Sequence, residues 1–282
     1  MKKSINYWAF PGGGDGTKDI GEFLRQSKAA GFQAVELCFA ETGILNLNSD
    51  ERQVQAIADD ARKVGIEIAS VATGLFWKYS MTSDDLAMRE KAKDVVKKGL
   101  QIAAWAGTDG LLVIPGVVCC GFSPLRTPYG LAWQRALAAI KELAPVAERL
   151  KVAIGIENVW NGFLLSPLEM RHFIDEVNSP WVGAYFDVGN VVVTGYPEDW
   201  IRILGKRIRK VHSKDFKRSV GTLAGFVDLM KGDVNWPEVM KAFRETGYDG
   251  PLTAEVFPPK DHPERLITET SAAMDKIMGN DE

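Results

Sequence analysis

One unit repeats along this chain: a short apolar run, a polar break, then a longer stretch with apolar residues at i, i+3 and i+4. The apolar runs fall at 5–10, 34–39, 67–73, 110–116, 153–159, 182–189, 208–216 and 251–257. The amphipathic stretches between them cover 20–30, 50–64, 84–106, 131–150, 167–177, 197–204, 237–246 and 264–278. Apolar runs this short read as buried strands, while the spacing between them is helical. Ser166 before Pro167, and Pro197 followed by Glu198 and Asp199, supply the capping oxygen, the fixed φ and the acidic first turn that favour helix starts. Gly31, Gly65, Gly107, and Gly247 with Gly250 fall in the links back to strands, where a left-handed cap residue is wanted. Alternation of this kind produces parallel strands with helices packed outside them. Eight even units in 282 residues, with no linker-like break in composition, predict an α/β fold, a single (β/α)8 TIM barrel over residues 1–282. A doubly wound open sheet is the alternative.

Composition narrows the partners. Apolar residues make up 46% and charged residues 25%, the balance of a soluble globular protein. A net charge of −3 gives no field for holding a polyanion, so nucleic acid is not an expected partner. The N-terminal MKKSINYWAFPGGG is interrupted by proline and glycine, and no run of 18 apolar residues follows, so neither leader nor membrane span is expected and the location reads as cytoplasmic. Three cysteines, Cys38, Cys119 and Cys120, make no disulfide framework and suit a reducing compartment. Cys119 and Cys120 lack a CxxC spacing and read as buried, not catalytic. Residues 12–14 form a glycine triplet without the GKS or GKT ending of a phosphate loop, so they read as a flexible loop.

In such a barrel, chemistry gathers at the C-terminal ends of the strands. Those ends carry Glu36 in VELCF, Glu157 in GIENVW, Asp187 in AYFDVGN, His212 in KVHSKDF and Glu255 in LTAEVF. Singly, a carboxylate there can be solvated or paired with a nearby base, and a histidine can be structural. Together, the last four come from consecutive strands and follow apolar residues, where unpaired charge is costly and one shared divalent cation offsets the cost. Three carboxylates and one imidazole make a hard site, suited to Mn²⁺ first, with Mg²⁺ or Co²⁺ as substitutes, and no organic cofactor is called for. Such a cation, chelating a carbonyl and the adjacent hydroxyl, would acidify the C–H between them and favour an enediolate. Glu157 and Glu255 stand on well-separated strands and would flank a sugar from opposite faces, one removing a proton and the other returning it. That arrangement predicts epimerisation. His172, in a helix, and His262, in the last loop, do not reach this point.

The segments ENVWNGFLLSPLEM, AYFDVGNV, GYPEDWIRILGKRIRKVHSKDFKR, GDVNWPEVM and GYDGPLTAE resemble the sugar phosphate isomerase/epimerase group of xylose-isomerase-like barrels. The likeness is greatest to L-ribulose- and L-xylulose-5-phosphate 3-epimerases, and more distant to D-tagatose and D-psicose 3-epimerases. It implies Glu157, Asp187, His212 and Glu255 as metal ligands, the two glutamates as the acid/base pair, and Arg218 as a contact to substrate oxygens. The free-ketose enzymes carry a histidine three residues after the ligand aspartate and a glutamate six residues after the first ligand. Here Asn190 and Phe163 occupy those positions, which leans the reading towards a phosphate ester.

Other residues have two readings each. Lys214, Lys217 and Arg218 precede a long loop, 219–235, and either meet a phosphate or sugar hydroxyls or form a solvated basic turn. Tyr7, Trp8, Phe10, Phe76, Trp77 and Trp160 follow strands and either wall a sugar pocket or pack the core. Trp8, Asn190, Lys214, Arg218 and Glu36 are the expected substrate contacts, with Glu36 equally able to form a salt bridge, and Asn158 is a candidate donor behind the ligands. The expected partner is a sugar or sugar phosphate, with association into a homodimer or homotetramer. Aldose–ketose isomerisation, inosose-type dehydration and non-catalytic sugar binding are the competing functions on the same site. An abasic-site endonuclease would need more than the three histidines present.

Overall fold

In the computed structural model, which describes residues 1–121, 124–259 and 261–279, the parallel strands close on themselves. In chain order the barrel strands are β1 (Lys2–Asn6), β2 (Ala34–Cys38), β3 (Glu67–Ala72), β4 (Gly110–Val113), β5 (Ala153–Glu157), β6 (Val182–Asp187), β7 (Ile208–Ser213) and β8 (Pro251–Ala254). Each pairs with its sequence neighbour, and Lys2–Ile5 pairs with Pro251–Ala254 to shut the ring. Closure excludes the open doubly wound sheet. Around it lie α1 (Ile20–Ala29), α2 (Glu51–Val64), α3 (Leu86–Ala106), α4 (Tyr129–Leu150), α5 (Pro167–Val177), α6 (Pro197–Leu204), α7 (Trp236–Thr246) and α8 (Pro263–Met278). None of the described helices is long and apolar enough to cross a membrane.

The helix starts follow their capping chemistry. Ser166 accepts from the Glu169 amide at 3.2 Å, and Asp50 forms a capping box with Gln53. The strands differ from expectation mainly at their ends. β1 begins at Lys2 and stops at Asn6, because the Asn6 side chain accepts from the Trp8 amide (2.6 Å) and turns residues 7–9 into a 3₁₀ turn. The expected strand 208–216 divides at Ser213. Asp215 and Phe216 leave the barrel to pair antiparallel with Phe226 and Val227.

The register places the polar strand residues in layers. Asn6, Glu36 and Ser70 are successive partners across β1, β2 and β3; Glu157 pairs with Tyr185, and Asp187 with His212. Because alternate residues of a strand face one side, Tyr185 lies one layer below Asp187 on β6. Gly155 of β5 has no side chain because a Cβ there would stand 3.0 Å from the Tyr185 ring. We therefore expect Gly155→Val to overpack this layer and destabilise the fold by about 1–3 kcal/mol. Urea unfolding followed by circular dichroism checks this, and an unchanged midpoint would show that Tyr185 has room to move.

Candidate metal centre

Glu157 closes β5, Asp187 closes β6, His212 is the penultimate residue of β7, and Glu255 follows β8. Each directly follows an apolar residue (Ile156, Phe186, Val211 and Ala254), and the four side chains meet in a buried mouth. One ligand atom from each lies within 4.8 Å of all the others. Donors about 2.1 Å from a common hard cation stand roughly 4 Å apart across it, so the spacing suits one ion. Three of the atoms aimed at this point, Asp187 Oδ2, His212 Nδ1 and Glu255 Oε2, are buried and make no hydrogen bond among the described residues. His212 Nδ1 is nevertheless only 2.7 Å from Glu255 Oε2, a close charge contact without hydrogen-bond alignment. Buried polar atoms left in this way favour a cation.

Behind the ligands lies a layer that holds them. His212 Nε2 sits 2.7 Å from Glu36 Oε1, which turns Nδ1 towards the other ligands. Glu36 is fully buried, and its oxygens also accept from Asn6, from Ser70 (2.7 Å) and from the Tyr185 hydroxyl. The expected substrate contact from Glu36 is thus corrected: it is a salt bridge inside the protein, with no face left for a ligand. Asn158 and Asp187 exchange two hydrogen bonds, Asn158 Nδ2 donating to the Asp187 carbonyl (2.8 Å) and the Asp187 amide donating to Asn158 Oδ1 (2.9 Å). The Asn190 amide donates to Asp187 Oδ1 (2.8 Å), and its side chain donates to the Asn158 carbonyl (2.9 Å). Asn190 is therefore seated against Asp187, its side-chain amide committed to the backbone.

The basic residues are also engaged. Lys214 Nζ lies 2.9 Å from Glu255 Oε2 and 3.2 Å from Asp187 Oδ2, so it neutralises the ligands instead of projecting from a basic turn. Arg218 is exposed, and its guanidinium donates to the Val192 and Gly195 carbonyls (2.9 and 3.0 Å) while lying over Tyr196. Asp215 accepts from the Phe216 and Val234 amides and the Trp236 indole, anchoring both ends of the long loop. Of the strand-end aromatics, Tyr7, Phe10 and Phe76 are core, while Trp8 and Trp77 line a cavity that ends on Glu255. Trp160 donates from its indole to the Asn190 carbonyl (2.9 Å). Phe163 is buried against Tyr129, Trp133 and Phe173, away from the cavity wall. The cysteines after β4 correct another expectation: Cys119 is exposed and Cys120 half-buried, because the loop lies on the barrel rim, its amides at 118 and 119 bonded to the Asn161 carbonyl. His172 and His262 are exposed and paired with Glu176 and Glu264.

Crowded charges shift one another. Burial pushes the Glu157 carboxyl up to about 7, against the pull of His212 and with the charge of Glu255 adding to the rise. Burial likewise raises Asp187, opposed by Lys214. Burial alone would raise Glu255 as well, but Lys214 and His212 beside it hold it at about 2. His212 is raised well above its ordinary value, because Glu36 and Glu255 outweigh the cost of burying its charge. Without a cation, then, the cluster carries a proton on His212 and, below neutral pH, another on Glu157.

A family model described as xylose isomerase-like TIM barrel matches residues 24–277, nearly the whole chain. The chain belongs to the xylose isomerase-like TIM barrel family. Among curated relatives, the L-ribulose-5-phosphate 3-epimerase of Escherichia coli K12 is 24% identical over 242 residues, covering 84% of this chain and 81% of that one. Among solved structures of the same fold, the D-psicose 3-epimerase of Clostridium cellulolyticum H10 with D-tagatose superposes with a TM-score of 0.79 at 18% identity, over 98% of both chains. An L-ribulose 3-epimerase structure gives 0.82 at 15%, over 99% of this chain and 95% of that one. Within this xylose isomerase-like barrel, the donor set and the unsatisfied atoms fit a divalent cation.

Two expectations follow. Adding Mn²⁺ to metal-free protein should release about two protons at pH 6 and about one at pH 8, since ligands bind deprotonated. Calorimetry in buffers of different ionisation enthalpy measures this, and no release at either pH would place the ion elsewhere. Glu36→Gln should weaken Mn²⁺ binding by about 10–100-fold while the protein stays folded, because the imidazole loses the carboxylate that orients it. Titration of the ion against a chelating dye gives the comparison.

Proposed function

We propose that this protein is a divalent-metal-dependent 3-epimerase of a ketose or ketose phosphate, with Mn²⁺ as the working ion. The observation that carries the reading is the convergence of two glutamates from β5 and β8 with Asp187 and His212 at one buried point. The epimerases among the relatives and fold neighbours support the reaction class. Glu157, Asp187, His212 and Glu255 would hold the ion. When bound, it supplies Lewis acidity beside a carbonyl, lowering the cost of removing the adjacent C–H proton.

The protein's own residues do the rest. Glu157 and Glu255 approach the sugar from opposite sides, so a proton taken from C3 by one carboxylate is replaced from the other face by its partner. The planar enediolate between the two transfers loses the original configuration, and inversion at C3 follows. Lys214 keeps Glu255 and Asp187 ionised and offsets their mutual repulsion. Asn190 and Arg218 hold the segment that follows Asp187, through its carboxylate and through the carbonyls at 192 and 195. Trp8 offers a flat apolar wall to the C–H face of the sugar.

The test is carbon-bound proton exchange. In deuterated water with Mn²⁺, NMR should show deuterium entering at C3 of the substrate; entry at C1 or C2 in its place would mark an aldose–ketose isomerase and overturn the reading. Glu157→Gln should keep the fold and lower turnover by about 10²–10⁴-fold, the usual contribution of a positioned acid or base.

A further inference from the structure

Beside Glu255 opens a cavity of about 400 Å³ whose described lining does not include Lys214. Trp8, Phe39, Trp77 and Phe257 supply its walls, and no lysine, arginine or histidine is among its described lining residues. The lysines on the neighbouring strand-end segments are already paired: Lys18 with Glu22, Lys78 with Glu41, and Lys214 with Asp187 and Glu255. The glycine loop after β1 offers little to an anion. Its amides at 13, 16, 17 and 18 are bonded to carbonyls of residues 10, 12 and 13, and the Asp15 carboxylate lies within it. The separate 120 Å³ space that Lys214 lines, which also touches Glu255, is bordered by Asp215 and Asp228.

Two glycines make this cavity what it is. In the same loop, Gly12 and Gly16 have positive φ, and a Cβ on Gly13 would strike the Tyr7 carbonyl at 2.1 Å, so each has a backbone reason to be glycine. Gly14 and Gly74 have none: φ is not in the left-handed region at either, and a Cβ would meet nothing within 4 Å. Both face the cavity. Their missing side chains leave space, and nothing else in their surroundings calls for glycine.

Resting on the epimerase reading, we infer that this compartment takes the far end of the substrate as an uncharged group, so that the substrate is an unphosphorylated ketose, with Gly14 and Gly74 setting the size of that group. A phosphate dianion here would lose its water without gaining a cationic partner, and would sit beside Glu255. This reverses the phosphate lean drawn from Asn190 and Phe163: the first donates to the Asn158 carbonyl and lines a different cavity with Trp160, the second is in the core, and neither lines this compartment.

The experiment compares D-psicose and L-ribulose with L-ribulose 5-phosphate on the Mn²⁺-loaded protein, by deuterium exchange and by equilibrium dialysis. The expected result is preference for the neutral sugars by about 100-fold in kcat/KM and in binding. Gly74→Leu should raise KM for the neutral sugar about tenfold with kcat and the melting temperature kept. Gly74→Arg should narrow the preference against the phosphate. Equal or better use of the phosphate ester, binding of neither class, or a folded Gly74→Leu protein with unchanged KM would each overturn the inference. Phosphate preference with exchange at C3 would sink this inference and leave the epimerase reading standing. Neutral preference with exchange at another carbon would do the reverse.

Discussion

Four carboxylates, Glu36, Glu157, Asp187 and Glu255, are packed into the mouth of an apolar barrel, and most of the surrounding structure answers that concentration of negative charge. Unpaired, such charges would not stay buried. His212 stands between Glu36 on one side and the ligand carboxylates on the other, so a single imidazole ties the inner layer to the outer one. Lys214, two residues further along the same side of the chain, covers Asp187 and Glu255. The segment K-V-H-S-K-D from Lys210 to Asp215 thus does several jobs at once. Lys210 pairs with Asp109 at the opposite end of the barrel, His212 and Lys214 neutralise the mouth, and Asp215 turns outward to anchor the long loop.

The barrel and the convergence of Glu157, Asp187, His212 and Glu255 were legible because both depend on periodic, local signals. A strand that is apolar until its last residue announces where its tip lies, and Glu157 in AIGIENVW, Asp187 in AYFDVGN and Glu255 in LTAEVF each interrupt such a run. What stayed hidden depends on distances between strands remote in sequence. Glu36 was expected at a strand tip, yet β2 runs on to Cys38 and leaves it mid-strand, sealed beneath His212, while Glu157 ends β5 and faces the mouth. Only the stagger of the closed sheet decides which layer each occupies. Tyr185 and Ser70, which hold Glu36, were missed altogether. Their one signal is a polar group at an inward position of an otherwise apolar strand, and that signal does not name a partner. Cys119 and Cys120 were misplaced because apolar character near a strand end does not distinguish the rim from the core.

Loop residues supply order as well as contacts. Asn158, just after β5, and Asp187, the last residue of β6, exchange backbone and side-chain hydrogen bonds, so the loop after β5 is tied to the end of β6. Asn190 closes the same ring from the next turn. Asp187 is thereby held by its own neighbours through Oδ1, while Oδ2 faces Lys214 at 3.2 Å and makes no hydrogen bond among the described residues.

The floor formed by Glu36, Ser70 and Tyr185, each fully buried, has a consequence for traffic. It makes the barrel a vessel with one opening. On the proposed function, incoming sugar and departing product would share that opening, so occupancy by one sugar would bar the next. Selection among sugars would then fall to the cavity beside Glu255, which Trp8, Trp77 and Phe257 wall and where two residues without side chains leave room.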